Sequence, residues 1–166
     1  PAQVLDDITV SSTRIRMALL KGDIDTANSC LGYHYHFEGL VVDGNKLGRT
    51  LGYPTANIHI HEPEKLVPGN GIYAVNVLLT HGTGNRDQAQ QLMGMMSIGV
   101  RPTIGTTERT IEVNIFNFNE DIYGRILRVY IHKYLRPELK FNSLEELADA
   151  LAQDKINALA ALASHL

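Results

Sequence analysis

Hydrophobic and polar residues alternate along much of the middle of the chain. From Tyr33 onward, Tyr35, Phe37 and Val41 alternate with polar positions, which is the period of a strand with one buried face. Further stretches with strand character follow at 72–79, 91–100, 110–118 and 126–134. Clusters of Gly, Asn, Asp and Thr separate them and are typical of turns.

Helical patterns lie on both sides of this β region. The stretch 1–8 is predicted to be irregular, and a short helix then ends near Lys21, where Gly22 has the usual terminating role. Asp23 is suited to cap a second short helix that reaches Leu31.

The C-terminal segment is predicted to form a helix. Ser143 and Glu146 have the spacing of a capping box. An apolar stripe follows, at Leu144, Leu147, Ala148, Leu151, Ile156 and Leu159. Because the strands have no helices between them, the order of elements favours a closed or sandwiched antiparallel sheet over a βαβ sheet.

Composition narrows the class of protein. The 166 residues and the hydrophobic content of 44% suit one globular domain. A net charge of −3 gives no general nucleic-acid footprint. The apolar runs are too short to span a bilayer, and Pro1 opens no signal-peptide pattern. The single Cys30 excludes an internal disulfide and fits a reducing compartment, so we expect a cytoplasmic protein without membrane or nucleic-acid partners.

The segment 48–57, Gly-Arg-Thr-Leu-Gly-Tyr-Pro-Thr-Ala-Asn, is the most informative part of the chain. If its end is extended, Thr55 and Asn57 point to one face and offer the oxygen ligands that Mg²⁺ prefers. Glycines before them allow backbone N–H groups to approach a polyphosphate. The same residue types also build ordinary turns. Lys46 and Arg49 are flexible cations nearby, and a solvated basic loop explains them equally well.

Glu112 is the sharpest candidate for acid–base chemistry. Ile111, Val113 and Ile115 occupy one face of the strand predicted at 110–118, and Glu112 lies on the other. The pattern alone favours a solvated carboxylate, since Glu is mostly exposed in proteins.

The histidines suggest a metal only weakly. His34 and His36 share one strand face, as do His59 and His61. A zinc site needs three or four suitable ligands, and the chain offers a single Cys and no further close cluster. Polar strand-face residues are the preferred interpretation.

Four segments in order resemble riboflavin kinases. They are Pro-Thr-Ala-Asn at 54–57 and the segments 98–103, 112–124 and 135–141, within a match over about 33–160. The resemblance implies a mainly β domain: an antiparallel, Greek-key-like β-barrel with short N-terminal helices and a C-terminal helix. The sequence pattern indicates about six strands, which is compatible with that barrel. It also implies that ATP and riboflavin are converted to FMN and ADP with Mg²⁺.

The resemblance further implies roles for individual residues. Glu112 falls on the family's proposed catalytic base, and accepting the proton of an alcohol is work that a carboxylate can do. Thr55 and Asn57 fall on the ligands of Mg²⁺ and phosphate. Gly48 and Gly52 fall on a flap that closes over ATP, and the resemblance places Arg49 beside the phosphates.

The flavin side of the site is less sharply defined by the resemblance. Arg101, Arg136 and Glu138 lie in segments similar to those bordering the flavin. Arg136, next to Pro137, is equally suited to a structural role at a helix end.

Residues 9–16 resemble the closing motif of the FMN adenylyltransferase module in bacterial bifunctional FAD synthetases. We therefore expect 1–31 to be the residual end of such a module, packed as peripheral helices, and 32–166 to be the kinase domain. FAD synthesis is expected only in an intact, longer protein. Any self-association would run through the missing module.

Two departures from the family pattern concern the flavin pocket: Tyr33-His34 replaces a typical Arg-Pro, and Asn114 replaces a frequent His.

Two alternative functions remain. One is a flavin-binding module without catalysis. The other is a β-barrel that binds oligonucleotides, which would need stacking aromatics and a basic groove.

Overall fold

Six antiparallel strands close into a barrel in the computed structural model of the chain, which describes residues 2–45, 52–79 and 90–163. The strands are β1 His36–Asn45, β2 Thr55–His59, β3 Gly71–Leu79, β4 Gln90–Thr103, β5 Thr106–Ile115 and β6 Ile126–Arg136. Around the barrel they run in the order β1-β2-β5-β4-β3-β6. Since β6 returns to lie beside β3, the strands β6-β3-β4-β5 form a Greek key. The predicted barrel is confirmed.

Alternate residues of the strands fill the barrel. Phe37, Val75, Val113 and Ile131 belong to one buried cluster, and each is 0 or 1% exposed. The alternation read from the sequence therefore identified the inward face. On the outer face of β4, Met93 is 43% exposed, whereas Met95 is 5% exposed and packs in the cluster with the C-terminal helix.

Two helices precede the barrel, α1 Ala2–Lys21 and α2 Ile24–Leu31. The prediction of an irregular stretch at 1–8 is wrong for residues 2–8, which are helical; no Gly or Pro interrupts 2–21. Asp23 caps α2 by accepting a hydrogen bond from the Thr26 N–H at 3.2 Å.

The helix ends are integral to the barrel core. Leu19 and Ile24 are each 1% exposed and belong to the same buried cluster as the barrel interior. The Leu19 carbonyl also accepts hydrogen bonds from the N–H groups of Gly22 and Gly69. The expectation of merely peripheral N-terminal helices is therefore wrong at this point, because the turn between α1 and α2 covers one end of the barrel.

A third helix, α3 Leu144–Ala163, packs on the outer face of the barrel. Its N-terminus has the predicted capping residues, since Ser143 Oγ accepts from the Glu146 N–H at 3.1 Å. The helix buries Ala158 and Leu162 against Ala74, Met95 and Phe116.

The predicted apolar stripe of α3 is only partly correct. Leu144 and Ile156 are 57% and 61% exposed. The buried face instead runs through Asp154, Ala158, Ala161 and Leu162, and alanines on this face allow a close approach to the sheet. No helix in the described ranges is long and apolar enough to cross a membrane.

Candidate active site

Thr55, Asn57 and Glu112 project from the outer face of two neighbouring strands. Strand β2 begins at Thr55, so Thr55 and Asn57 share a face, as expected for an extended segment. The register between β2 and β5 places Asn57 directly opposite Glu112 and Ala56 opposite Val113. Side chains directly opposite in an antiparallel pair have Cβ atoms about 5 Å apart. The strand pairing thus brings an amide and a carboxylate together.

Thr55 carries a buried hydroxyl that is unpaired among the described residues. Its Oγ1 atom has no hydrogen-bond partner within the described parts of the chain. Leaving a buried polar group unpaired costs about 1–3 kcal/mol, so such groups point to a function. A hydroxyl oxygen beside an amide oxygen is a donor set that fits Mg²⁺.

Two cavities meet at Thr55. The first has a volume of about 490 Å³ and opens between β1, β2, β5 and the segment 118–123. The second, of about 220 Å³, lies outside the barrel under α3 and is lined by Glu112 and Asn114. Thr55 lines both cavities, whereas Asn57 lines neither and adjoins the site through Glu112.

The second cavity has mixed walls. Its apolar side chains include Tyr53, Met95, Phe141, Leu147 and Leu151. Arg136 and Glu138, two of the three predicted flavin residues, supply charged groups. Arg101, the third, is exposed on β4 opposite Glu108 and lies outside the linings of both cavities.

The Arg136 guanidinium is paired with a carboxylate of α3. Its Nε and Nη2 atoms donate to the two oxygens of Asp154, each at 2.7 Å, and Nη1 donates to the Pro137 carbonyl at 3.0 Å. The Asp154 side chain is only 3% exposed, so this bidentate pair fixes α3 on the barrel. Arg136 therefore has a structural contact, but it lies at the end of β6 and pairs with the middle of α3, so the predicted position at a helix end is wrong. The residue also lines the second cavity.

Asp154 was not singled out in the sequence, but a signal was present. With Leu147, Leu151 and Ala158 it falls on one helical face at intervals of three and four residues. An acidic residue within such a buried stripe needs a cationic partner, because an isolated buried charge is costly.

Glu138 occupies a place made available by a glycine. Its carboxylate lies where a Cβ on Gly99 would stand, so any side chain at Gly99 would displace it. Two of the recognised segments, 98–103 and 135–141, thus meet at the second cavity.

Several residues predicted for the phosphate side fall outside the described ranges. These are Lys46, Gly48 and Arg49. Gly52 is described, and its φ of +84° is a left-handed conformation that favours glycine.

Comparison with known proteins decides the family. The profile described as "Flavokinase: Riboflavin kinase" matches residues 31–162, which include the whole barrel and nearly all of α3. The chain belongs to the riboflavin kinase family. Both cavities, Thr55, Asn57 and Glu112 lie within the matched riboflavin kinase domain.

Individual relatives agree with this family. The bifunctional riboflavin kinase/FMN adenylyltransferase of Bacillus subtilis is 37% identical over 156 residues, which is 92% of this chain and 46% of the relative. The corresponding Escherichia coli K12 protein is 38% identical over 151 residues. The chain therefore spans about half the length of the curated relatives it matches.

A solved structure supports the architecture. Riboflavin kinase from Trypanosoma brucei superposes with a TM-score of 0.52 at 23% identity and covers 75% of this chain and 74% of its own. At that identity the similarity concerns the fold.

Proposed function

We propose that this domain transfers the γ-phosphoryl group of ATP to the 5′-hydroxyl of riboflavin, giving FMN and ADP. The supporting observation is the direct opposition of Asn57 and Glu112 beside Thr55, at the meeting point of two cavities. A transfer reaction needs a donor and an acceptor that meet at one point. In this proposal, the polyphosphate approaches from the first cavity and the flavin occupies the second.

The second cavity has the composition expected for an aromatic ring system with polar edges. Tyr53, Met95 and Phe141 provide apolar surface, and Glu138 provides a hydrogen-bond acceptor. Ligand sites typically combine apolar walls with a few placed polar groups.

Thr55 and Asn57 are the residues proposed to hold Mg²⁺ with ATP. The unpartnered Thr55 hydroxyl and the Asn57 amide share one strand face, and both are neutral oxygen donors. When bound, Mg²⁺ neutralises charge on the polyphosphate oxygens. Gly48, Arg49 and Gly52 belong to the segment proposed to close over the phosphates.

Glu112 is proposed as the general base. As the new oxygen–phosphorus bond forms, the bond from the γ-phosphorus to the β,γ-bridging oxygen breaks and ADP leaves. The Glu112 carboxylate accepts the proton of the flavin hydroxyl. Phosphoryl transfer has a loose transition state, so positioning and charge stabilisation provide most of the catalysis. One carboxylate, that of Glu112, is therefore sufficient as the base for this step.

The region 1–31 is proposed to be the end of an adenylyltransferase module, as residues 9–16 suggest. Residues 9–16 lie on α1, outside the matched kinase region, and FAD synthesis is proposed only for a longer protein. Cys30 as a free, exposed thiol suits a cytoplasmic, reducing environment. Substrates and products, namely riboflavin, ATP, FMN and ADP, are the proposed partners.

Chromatography of the reaction products tests the proposal. The purified chain is incubated with riboflavin and MgATP, and in parallel with riboflavin and ATP in excess chelator. FMN in the first reaction alone supports the proposal. Riboflavin binding without FMN would identify a binding module instead. A third reaction with FMN and MgATP should give no FAD.

A further inference from the structure

Asn114 is a buried polar residue at the site with no role in the reaction described above. It is 5% exposed and lies two residues after Glu112 on the same face of β5. Its Nδ2 atom donates to the Pro54 carbonyl at 2.6 Å, across 60 positions of sequence. This hydrogen bond joins β5, which carries Glu112, to the start of β2, which carries Thr55.

The bond lies where the backbone ladder between the two strands ends. The register pairs Asn57 with Glu112 and Ala56 with Val113. One step further, Thr55 comes opposite Asn114. Pro54 precedes β2 and has no N–H to contribute to a ladder. The Asn114 side chain therefore continues the connection by holding the Pro54 carbonyl.

This connection controls the backbone from which Thr55 projects. The Pro54 carbonyl and the Thr55 N–H belong to one planar peptide unit, so fixing the carbonyl fixes that plane. Thr55 Oγ1 itself has no hydrogen-bond partner among the residues described, so its own hydroxyl does not orient the side chain. The backbone and the packing around the side chain then set its orientation.

We propose that Asn114 is a positioning residue that acts through the Pro54 carbonyl to aim the Thr55 hydroxyl at the phosphates of the nucleotide. The proposal rests on the function proposed above and adds a specific cause for the geometry of the phosphate side. Asn114 has this effect without touching the nucleotide, because the first cavity is lined by Pro54 and Thr55 and not by Asn114.

A control for the loss of a side-chain hydrogen bond exists on α2. Asn28 donates from Nδ2 to the Ile131 carbonyl at 2.9 Å and accepts from the Tyr35 N–H at 2.8 Å. It ties α2 to the barrel and lies outside the linings of the two cavities at the site. Asn28→Leu therefore removes the same kind of hydrogen bond without changing the route to Thr55.

The test compares Asn114→Leu, which keeps the branched shape and removes the donor, with Asn114→His, which keeps an N–H donor. The KM for MgATP, kcat, the riboflavin Kd from flavin fluorescence and the MgADP Kd from calorimetry are measured for each. Asn114→Leu should raise the KM for MgATP and the Kd for MgADP about tenfold, the loss of roughly one hydrogen bond. Because Asn114 also lines the second cavity, the riboflavin Kd should rise as well, but by a clearly smaller factor than the MgADP Kd. Asn114→His should recover part of the loss in nucleotide binding.

Asn28→Leu should lower the melting temperature, but it should not raise the Kd for MgADP more than the Kd for riboflavin. An equal or larger change in the riboflavin Kd of Asn114→Leu would overturn the proposal, since it would indicate direct flavin contact. Unchanged nucleotide binding, or equal losses in the Leu and His variants, would also overturn it. If Asn114→Leu does not fold, Asn114→Ala is measured in the same way. Absence of FMN from the unmodified protein would instead reject the proposed function, while the MgADP measurements would still test the positioning.

Discussion

Asn57 and Glu112 face each other across the antiparallel pair of β2 and β5. They are far apart in sequence, yet the closed barrel makes them direct neighbours, because β2 pairs with β1 along one edge and with β5 along the other. A proposed metal ligand and a proposed base therefore sit on two rigid strands. Such placement restricts the motion of both groups and favours the precise geometry that phosphoryl transfer requires.

Replacing Glu112 by Gln should reduce turnover by about 10²–10⁴-fold, because the amide cannot accept the proton of the hydroxyl. Riboflavin should still bind, since Gln keeps the shape of the side chain. The kcat for FMN formation and the riboflavin Kd are the measurements. Glu108→Gln is the control, because Glu108 is an exposed residue of the same strand. Near-normal turnover in Glu112→Gln would rule out the role as base.

Replacing Asn57 by Ala should weaken Mg²⁺-dependent nucleotide binding about tenfold or more and leave riboflavin binding nearly unchanged. The reason is that one oxygen ligand is lost on the phosphate side alone. Calorimetry with MgADP and with riboflavin compares the two affinities. His59→Ala, an exposed change on the same strand, serves as the control. Equal weakening of both ligands, with lower thermal stability, would point to a structural role for Asn57.

Asp154→Asn should lower the free energy of unfolding by roughly 3–5 kcal/mol, since it leaves the Arg136 guanidinium partly buried without its carboxylate. It should also weaken riboflavin binding, because α3 and Arg136 both border the second cavity. Urea denaturation and flavin fluorescence are the measurements. Asp149→Asn, exposed on the same helix, should change stability by less than about 0.5 kcal/mol. Similar values for both variants would show that the pair is dispensable.

Leu19→Ala should lower the free energy of unfolding by about 2–5 kcal/mol, because this side chain is 1% exposed and fills the end of the barrel. The neighbouring Leu20 is 50% exposed, so Leu20→Ala should cost far less. Thermal and urea denaturation distinguish the two.

By the same argument, a truncation that removes residues 1–20 should lower the stability and the activity of the kinase domain. A fully stable, active truncation would contradict this.

Stability should fall between about pH 10 and 12. Burial is the main reason that the pKa values of Tyr35 and Tyr73 are each raised to about 12. Each hydroxyl donates to a backbone carbonyl, that of Leu66 or of Gly69, at 2.5 Å. The folded state thus retains protons that the unfolded chain loses near pH 10, so this contribution is complete below pH 10 and is lost as pH rises toward 12.

The measurement is the melting temperature as a function of pH. Tyr73→Phe should be less stable than the unmodified protein at pH 8, by roughly 0.5–1.5 kcal/mol for one hydrogen bond. It should lose less stability on going from pH 10 to 12. Tyr123→Phe, at a residue that is 68% exposed, controls for the other groups that titrate in this range. Parallel curves for Tyr73→Phe and the unmodified protein would refute the assignment.

The sequence by itself determined which residues face the barrel interior. A strand has a fixed period of two, so the pattern at Phe37, Val41 and Val113 identifies the buried face without knowledge of the partner strands. Helix capping at Asp23 and Ser143 could also be predicted, because it depends only on residues three positions apart in sequence. The family resemblance rested on short segments and identified the fold and the riboflavin kinase family.

Only the tertiary structure decided which residues from distant segments meet. Strand register joins Asn57 to Glu112, and the docking of α3 joins Arg136 to Asp154. The tertiary structure also revealed that Arg101 lies away from both cavities and that Leu19 belongs to the barrel core. These relationships depend on long-range packing and on the desolvation of particular charges. Periodicity along one segment carries no information about either.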